Sequence, residues 1–378
     1  MWRVIAPVII YDQTESPIML GVLSVASYGP VLALSFFGGV LADRVPRRVL
    51  VSVGHALIAV NLAAVALLGS LGHLRASVVL VAAVVESVVY ALAKPAMNAV
   101  VPELVAERYV SRAVALNITN FSVAQLIGPV IATLAMLAAG RPAAIGLAAI
   151  FYAPMAVALY FVTIDADGRG ATSSERGAAM LRETWAALRR GVVARRLLSI
   201  ALGSIALEGS VRVLAPQFAI EFGVEGSYSG FIVGAQAFGS VLAVVAVSRS
   251  ALISNTRRIT AAYLAMAAGV VCYAGSPALA IALVFAATVG LSQTVGFSIA
   301  TAEIHSGTSP QARGRMMAFH AMALLGVRPL AGLLAGALSS TVGTRTASAL
   351  FATFALASAV TAMRRVVPDR ALSPIGNL

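Results

Sequence analysis

Long apolar runs alternate with short polar stretches that carry most of the charge, and this alternation organises the whole chain. A bilayer core takes about 20 apolar residues per helix. Eleven segments meet or approach that length: Ile18 to Leu41, Val49 to Leu71, Val78 to Val100, Ala113 to Ala139, Ala143 to Ile164, Leu197 to Ile220, Tyr228 to Val247, Ile259 to Tyr273, Ala278 to Ile304, Met316 to Leu338 and Ala347 to Met363. Ile259 to Tyr273 is the short member, and its end is drawn towards Pro277. A twelfth run, Met1 to Ile10, covers roughly 15 Å at 1.5 Å per residue. That is half a membrane, so the first helix is read as truncated in this sequence.

The longest polar stretch, Asp165 to Arg196, divides the spans and predicts three parts: an N-terminal bundle over 1–164, a linker over 165–196 and a C-terminal six-helix bundle over 197–378. Within the linker Met180, Leu181, Trp185 and Leu188 recur at helical spacing opposite Arg182, Arg189 and Arg190. This pattern predicts an amphipathic helix lying on a membrane surface, or a plain helical spacer. The two halves also parallel one another. "RAVALNITNFSVAQLIGPVIATLAMLAAG" from Arg112 lays on "RMMAFHAMALLGVRPLAGLLAGALSSTVG" from Arg315, which sets Gln125 at the position of Arg328. Two parallel repeats of six helices place a substrate site at their interface near the bilayer midplane.

Composition strengthens this picture. Hydrophobic residues make up 60% and charged residues 11% of the chain, against about 45–50% and a quarter in soluble domains, which excludes a soluble enzyme. The net charge of +12, from 27 basic and 15 acidic residues, would point to nucleic acid in a soluble protein. Position removes that reading. Only Arg75, Arg141 and Arg345 fall on one side of the spans, and Arg3, Lys94, Arg212 and Arg328 fall within them; the other basic residues share the opposite side. By the positive-inside rule that side is cytoplasmic, with the C-terminus there and the protein multi-pass in the cell (inner or plasma) membrane. Cys272 is the single cysteine, which excludes a disulfide framework or thiolate zinc site. His55, His73, His305 and His320 are scattered without metal-ligand spacing. No phosphate-binding loop occurs, so transport driven by this chain's own ATP hydrolysis is excluded, and no cofactor is expected. "GLLAGAL" carries small residues at four-residue spacing and predicts close helix packing.

The loop Gly39-Val40-Leu41-Ala42-Asp43-Arg44-Val45-Pro46-Arg47-Arg48 resembles the loop 2–3 signature of the major facilitator superfamily, G-x-x-x-D-R/K-x-G-R/K-R/K, with Pro46 where a glycine is common. More narrowly, "AKPAMNAVVPELVAERYVSRAVALN", "ALRRGVVARRLLSIAL" and "TSPQARGRMMAFHAMALLGVRPLAGLLAGAL" resemble its enterobactin-exporter-like, or transmembrane secretion effector, branch. The resemblance implies an all-α major facilitator fold and a secondary exporter of small organic molecules, such as siderophores or drugs, coupled to inward proton flow. It departs in the fifth helix, where Gly128-Pro129 is followed by Ala132-Thr133 instead of the double glycine of the G-P-x-x-G-G antiporter signature. Asp43 could pair with Arg47, Arg48 or a neighbouring helix end as a cytoplasmic latch, with Gly39 and Arg44 in the same gating loop; the alternative is a solvated topogenic loop.

Ionisable residues inside spans are costly and are functional candidates by default. Glu86 lies in the fourth helix and Glu208 and Arg212 in the seventh, four apart and able to pair. Gln293 lies in the tenth, Arg328 in the eleventh, Gln125 in the fifth and Arg3 in the first. The resemblance implies that helices one, four, seven and ten line a central cavity, which selects Arg3, Glu86, Glu208, Arg212 and Gln293. Low dielectric disfavours a charged carboxylate, so Glu86 or Glu208 is the expected proton carrier. Arg212 and Arg328 would hold the carboxylate ionised or attract an anionic substrate. The alternatives are a static Glu208–Arg212 pair and a structural Glu86. Lys94 is read as snorkelling to the cytoplasmic interface, and Glu303 as solvated there. The expectation is a monomeric exporter in the bilayer, with protons and a small molecule as partners; an uptake permease of the same fold and a non-transporting membrane protein are the alternatives.

Overall fold

A computed structural model describes residues 1–161, 191–249, 256–308 and 313–363. The linker helix expected over 180–188 lies outside the described residues, as does the side chain of Asp43. Grouped across kinks, the described residues form α1 (Trp2–Thr14), α2 (Pro17–Arg44), α3 (Arg47–Ser70) and α4 (Ala76–Glu103), then a continuous run Val110–Phe161 that holds α5 and α6. They continue as α7 (Gly191–Glu221), α8 (Ser229–Arg249), α9 (Thr256–Ala274), α10 (Leu279–Ser306), α11 (Arg313–Ala321 extended through Arg328–Val342) and α12 (Thr344–Met363). Nine helices among the described residues are long and apolar enough to cross a membrane, and one of them, Thr119–Ala158, is the paired α5 and α6.

Local chemistry sets the breaks. Pro17 occupies the first turn of α2, where its missing N–H costs nothing. Val45, held extended before Pro46, ends that helix. α5 and α6 meet at Gly140, whose φ of 79° and ψ of 173° lie where only glycine sits easily, one residue before the Arg141-Pro142 pair. α9 already includes Thr256, ahead of the apolar run, and stops at Ala274 short of Pro277. Arg345 of α12 explains the stop: its Nη1 donates to the carbonyls of Ala274 at 3.2 Å and Ser276 at 2.6 Å, satisfying groups that a helix end leaves open. Arg195 and Arg196, read from sequence as linker, stand within α7.

The architecture is an all-helical membrane bundle of two six-helix halves, α1–α6 and α7–α12. Large apolar side chains such as Phe37, Val60, Phe151 and Val284 point outward, while alanine, glycine and serine fill many helix crossings. In lipid no hydrophobic force separates inside from outside, so close backbone approach drives packing. The "GLLAGAL" segment behaves as its spacing predicts. A Cβ on Gly336 would stand 2.5 Å from the Pro17 carbonyl oxygen, and one on Gly21 would stand 2.8 Å from that of Gly332, so α2 and α11 cross in near backbone contact. This crossing, with α5 against α8 and α1 against α7, joins the halves. The joins lie towards the arginine-poor end: Thr133 donates to the Ser227 carbonyl at 2.8 Å, and Gln217 donates to Tyr11 at 3.3 Å while accepting from Ser339 at 3.2 Å.

At the other end of the C-terminal half Arg196, 3% exposed, ties four helices. It pairs with Glu303 of α10 and donates to Thr256 of α9 and to the Ala362 carbonyl of α12, each at 3.2 Å. Glu303 is therefore engaged in an ion pair, with a side chain only 11% exposed, and its expected solvation is corrected. The sequence distance of 107 residues hides this partner. Removing one side of a buried pair costs about 3–5 kcal/mol, because the other charge is left behind. Arg196→Gln is expected to lower the thermal midpoint of the detergent-purified protein markedly, and Arg196→Met combined with Glu303→Leu to lower it less; equal loss in both would show that the pair itself is not what matters.

Candidate functional site

Two prolines shape the centre of the molecule. Pro216 has no N–H for the carbonyl of Arg212, and Pro329 has none for that of Leu325. In each case the helix widens into a π-turn just before the proline, Glu208–Arg212 in α7 and Met322–Gly326 in α11. The Val213 N–H reaches back five residues to the Glu208 carbonyl at 3.0 Å. Such turns concentrate at functional positions, and here they adjoin three of the costliest side chains in the chain, Glu208, Arg212 and Arg328.

The Glu208–Arg212 pair that the spacing left open as an alternative is not formed. Glu208 instead faces Arg328 across the α7–α11 contact, Oε2 to Nε 3.5 Å. Arg212 donates from Nε and Nη2 to the single oxygen Oε1 of Gln236 on α8, at 3.1 and 2.8 Å. Four-residue spacing places both side chains on one side of α7 but says nothing of the partners that neighbouring helices supply. Gln236 is 1% exposed; its Nε2 donates to Ser240 at 3.0 Å, and the Ser240 hydroxyl bonds the Gly290 carbonyl at 3.2 Å. A Cβ on Gly290 would collide with the Gln236 backbone, so α8 and α10 touch here and fix the amide.

A cavity of about 210 Å³ opens beside these groups. Gln125, Glu208, Arg212, Gln293 and Arg328 line it, joined by Gln236. Gln293 also reaches the Gly203 carbonyl, at 3.5 Å. Among the described residues the lining of this cavity comes from α5, α7, α8, α10 and α11, so α8 joins the helices expected from the resemblance. Arg3 and Glu86 form a second group in the N-terminal half, Nη2 to Oε1 3.8 Å. Glu86 is 3% exposed, and among the described residues its Oε2 has no hydrogen-bond partner. Lys94 lies over the rings of Tyr90 and Phe121, at 5.6 and 5.9 Å, between α4 and α5.

Tyr28 of α2 links the two groups. The Arg3 guanidinium lies 4.6 Å and that of Arg328 5.2 Å from its ring centre, and Arg328 Nη1 donates to its hydroxyl at 3.1 Å. Ser24, one turn earlier, donates to the Arg328 carbonyl at 3.2 Å. A continuous polar path thus runs Glu86, Arg3, Tyr28, Arg328, Glu208 and crosses from one half to the other. Tyr28, Gln236 and Ser240 were missed from sequence. Gln236 carried the same signal as Gln125 and Gln293, an amide inside an apolar span; Tyr28 carried none that separates it from an interfacial aromatic.

Residues 1–324 match the Major Facilitator Superfamily. No curated protein sequence matches the chain. Among solved structures, an inward-facing, occupied bacterial homologue of the human lysosomal transporter Spinster is similar over 96% of this chain and 93% of its own, with 13% identity and a TM-score of 0.69. A mutant of the nucleoside transporter NupG is similar over 96% and 94%, with 13% identity and a TM-score of 0.72. The E. coli fucose:proton symporter FucP is similar over 96% and 95%, with 14% identity and a TM-score of 0.58. At these identities the likeness is one of fold, and it spans both halves. Together with the family match over most of its length, it establishes that the chain belongs to the major facilitator superfamily, as a multi-pass membrane transporter.

Proposed function

We propose that this transporter exports a small organic molecule by alternating access, driven by inward proton movement, with Glu86 as the proton carrier. The observation that carries the reading is the Glu86 carboxyl itself: 3% exposed, one oxygen without a partner among the described residues, the other 3.8 Å from Arg3. A carboxyl so placed can bind a proton on one oxygen while its charged form is held by a neighbour on the other. Protonation would release Arg3, which shares Tyr28 with Arg328, so a proton in one half would be felt at the cation that Glu208 holds in the other. The arginine-rich side is taken as cytoplasmic, with the halves joined at the outer end and the Gly39–Arg48 loop at the inner end as the gating loop. Export rests on the resemblance of three sequence stretches to exporter-like relatives. Uptake is the second reading, favoured by Thr133: it stands where the antiporter signature has glycine and spends its hydroxyl on the Ser227 carbonyl across the halves.

Direction is read by mass spectrometry of cell contents and medium with the gene deleted and overexpressed. A compound retained on deletion and enriched outside on overexpression is the expected result; depletion from the medium only when the gene is present would make the protein an importer. With that compound in proteoliposomes, Glu86→Gln is expected to abolish the dependence of transport on an imposed pH gradient, and Glu208→Gln to slow transport while leaving that dependence in place. Wild-type pH dependence in Glu86→Gln would remove Glu86 as the carrier.

Tyr28→Phe keeps the ring under both guanidiniums and removes only the hydroxyl that accepts from Arg328. A hydrogen bond to a charged group contributes about 1.5–3 kcal/mol, so about a tenfold or greater change in transport rate is expected, with folding intact by thermal melt. An unchanged rate would show that the link through Tyr28 is incidental.

A further inference from the structure

Of the three guanidiniums at the centre of the molecule, two face carboxylates: Arg3 has Glu86 and Arg328 has Glu208. Arg212 has a neutral partner. Both of its hydrogen bonds among the described residues end on one amide oxygen, Gln236 Oε1. That amide is held by Ser240 and by the tight α8–α10 crossing at Gly290. The arrangement orients the guanidinium without neutralising it, and it does so in the wall of the cavity. Arg328 and Glu208 in the same wall cancel, so the cavity lining carries one uncompensated positive charge.

We infer that the cavity binds a small organic anion, with its carboxylate or sulfonate group on the free edge of Arg212. This rests on the transport reading for its purpose but not for its chemistry. A planar guanidinium matches a two-oxygen anion and, unlike lysine, stays charged when desolvated. Gln236 uses the Nε and Nη2 edge, and Arg212 Nη1 has no partner among the described residues. The remaining wall suits an apolar body with a few polar contacts: Leu207, Val241, Phe297 and Leu324 beside Ser122 and Gln125. At about 210 Å³ the cavity lies below the usual range of drug-sized pockets, roughly 300–1,000 Å³, which selects a compact anion in this conformation.

The charge of the cavity can be read without knowing the cargo. In a Cys272→Ser background, Val244→Cys places a single thiol in the cavity wall of the full-length protein in lipid nanodiscs. Its labelling by the anionic reagent methanethiosulfonate ethylsulfonate is compared with that by the cationic trimethylammonium analogue, each rate divided by the rate with a free thiol in solution. A cleft lined by one sign of charge concentrates its counter-ion on the order of tenfold or more, so the normalised ratio is expected to favour the sulfonate by that factor. Arg212→Gln should bring it towards one. A normalised ratio at or below one in the parent protein overturns the inference, as does an unchanged ratio in a folded Arg212→Gln protein. The readout needs no transport, so failure of the proposed export leaves it standing, and a cation-preferring cavity defeats it even in a working transporter.

Discussion

A guanidinium held halfway through an apolar bundle has to be partnered, and the solution found for Arg328 ties the two halves together. Its side chain faces Glu208 of its own half and donates to Tyr28 of the other, while its backbone carbonyl accepts from Ser24. In a medium without water each of these contacts is worth more than on a soluble surface, and each is costly to leave unmade. The crossing of α2 and α11 therefore rests on two unlike interactions at different depths: near backbone contact at Gly21, Gly332 and Gly336 towards one end, and a charged hydrogen-bond node at mid-depth. The first depends on shape and is insensitive to protons. The second changes whenever a carboxylate in the network is neutralised.

The π-turns explain how such a node is built from helices. A regular α-helix satisfies every backbone group internally and gives its side chains little freedom to converge. Pro216 and Pro329 each remove one donor, and the widened turns before them adjoin Glu208, Arg212 and Arg328. The disruption is tolerated where it borders a cavity and is enclosed by neighbouring helices, the condition under which irregular backbone occurs at membrane depth.

The span pattern, the halves and the glycine spacing of α11 were legible in the sequence because they follow from bilayer thickness and from packing along one helix. So were the mid-membrane side chains, since their cost is intrinsic to residue type. Pairing was not. Glu208 and Arg212 share a helix, and spacing suggested they share a bond, yet each is drawn to a partner distant in sequence, Arg328 and Gln236. Arg196 and Glu303 show the same limit at the arginine-rich end: residues read as linker and interface meet as a buried ion pair because four helices converge there. Periodicity reports which face a residue occupies, and the identity of the neighbour across that face is a property of the assembled bundle.

The choice of Gln236 for Arg212 is the point at which structure and chemistry diverge most from what neutralisation alone would favour. A carboxylate in that position would quench the guanidinium and close the site to other anions, as Glu208 does for Arg328. An apolar residue would leave the guanidinium unheld and costly to bury. The amide fixes the cation's geometry through one oxygen and leaves its charge available, and Ser240 with the glycine crossing at Gly290 keeps the amide from turning. On the inference drawn above, an anion entering from the cavity would supply the counter-charge that the neutral amide of Gln236 withholds.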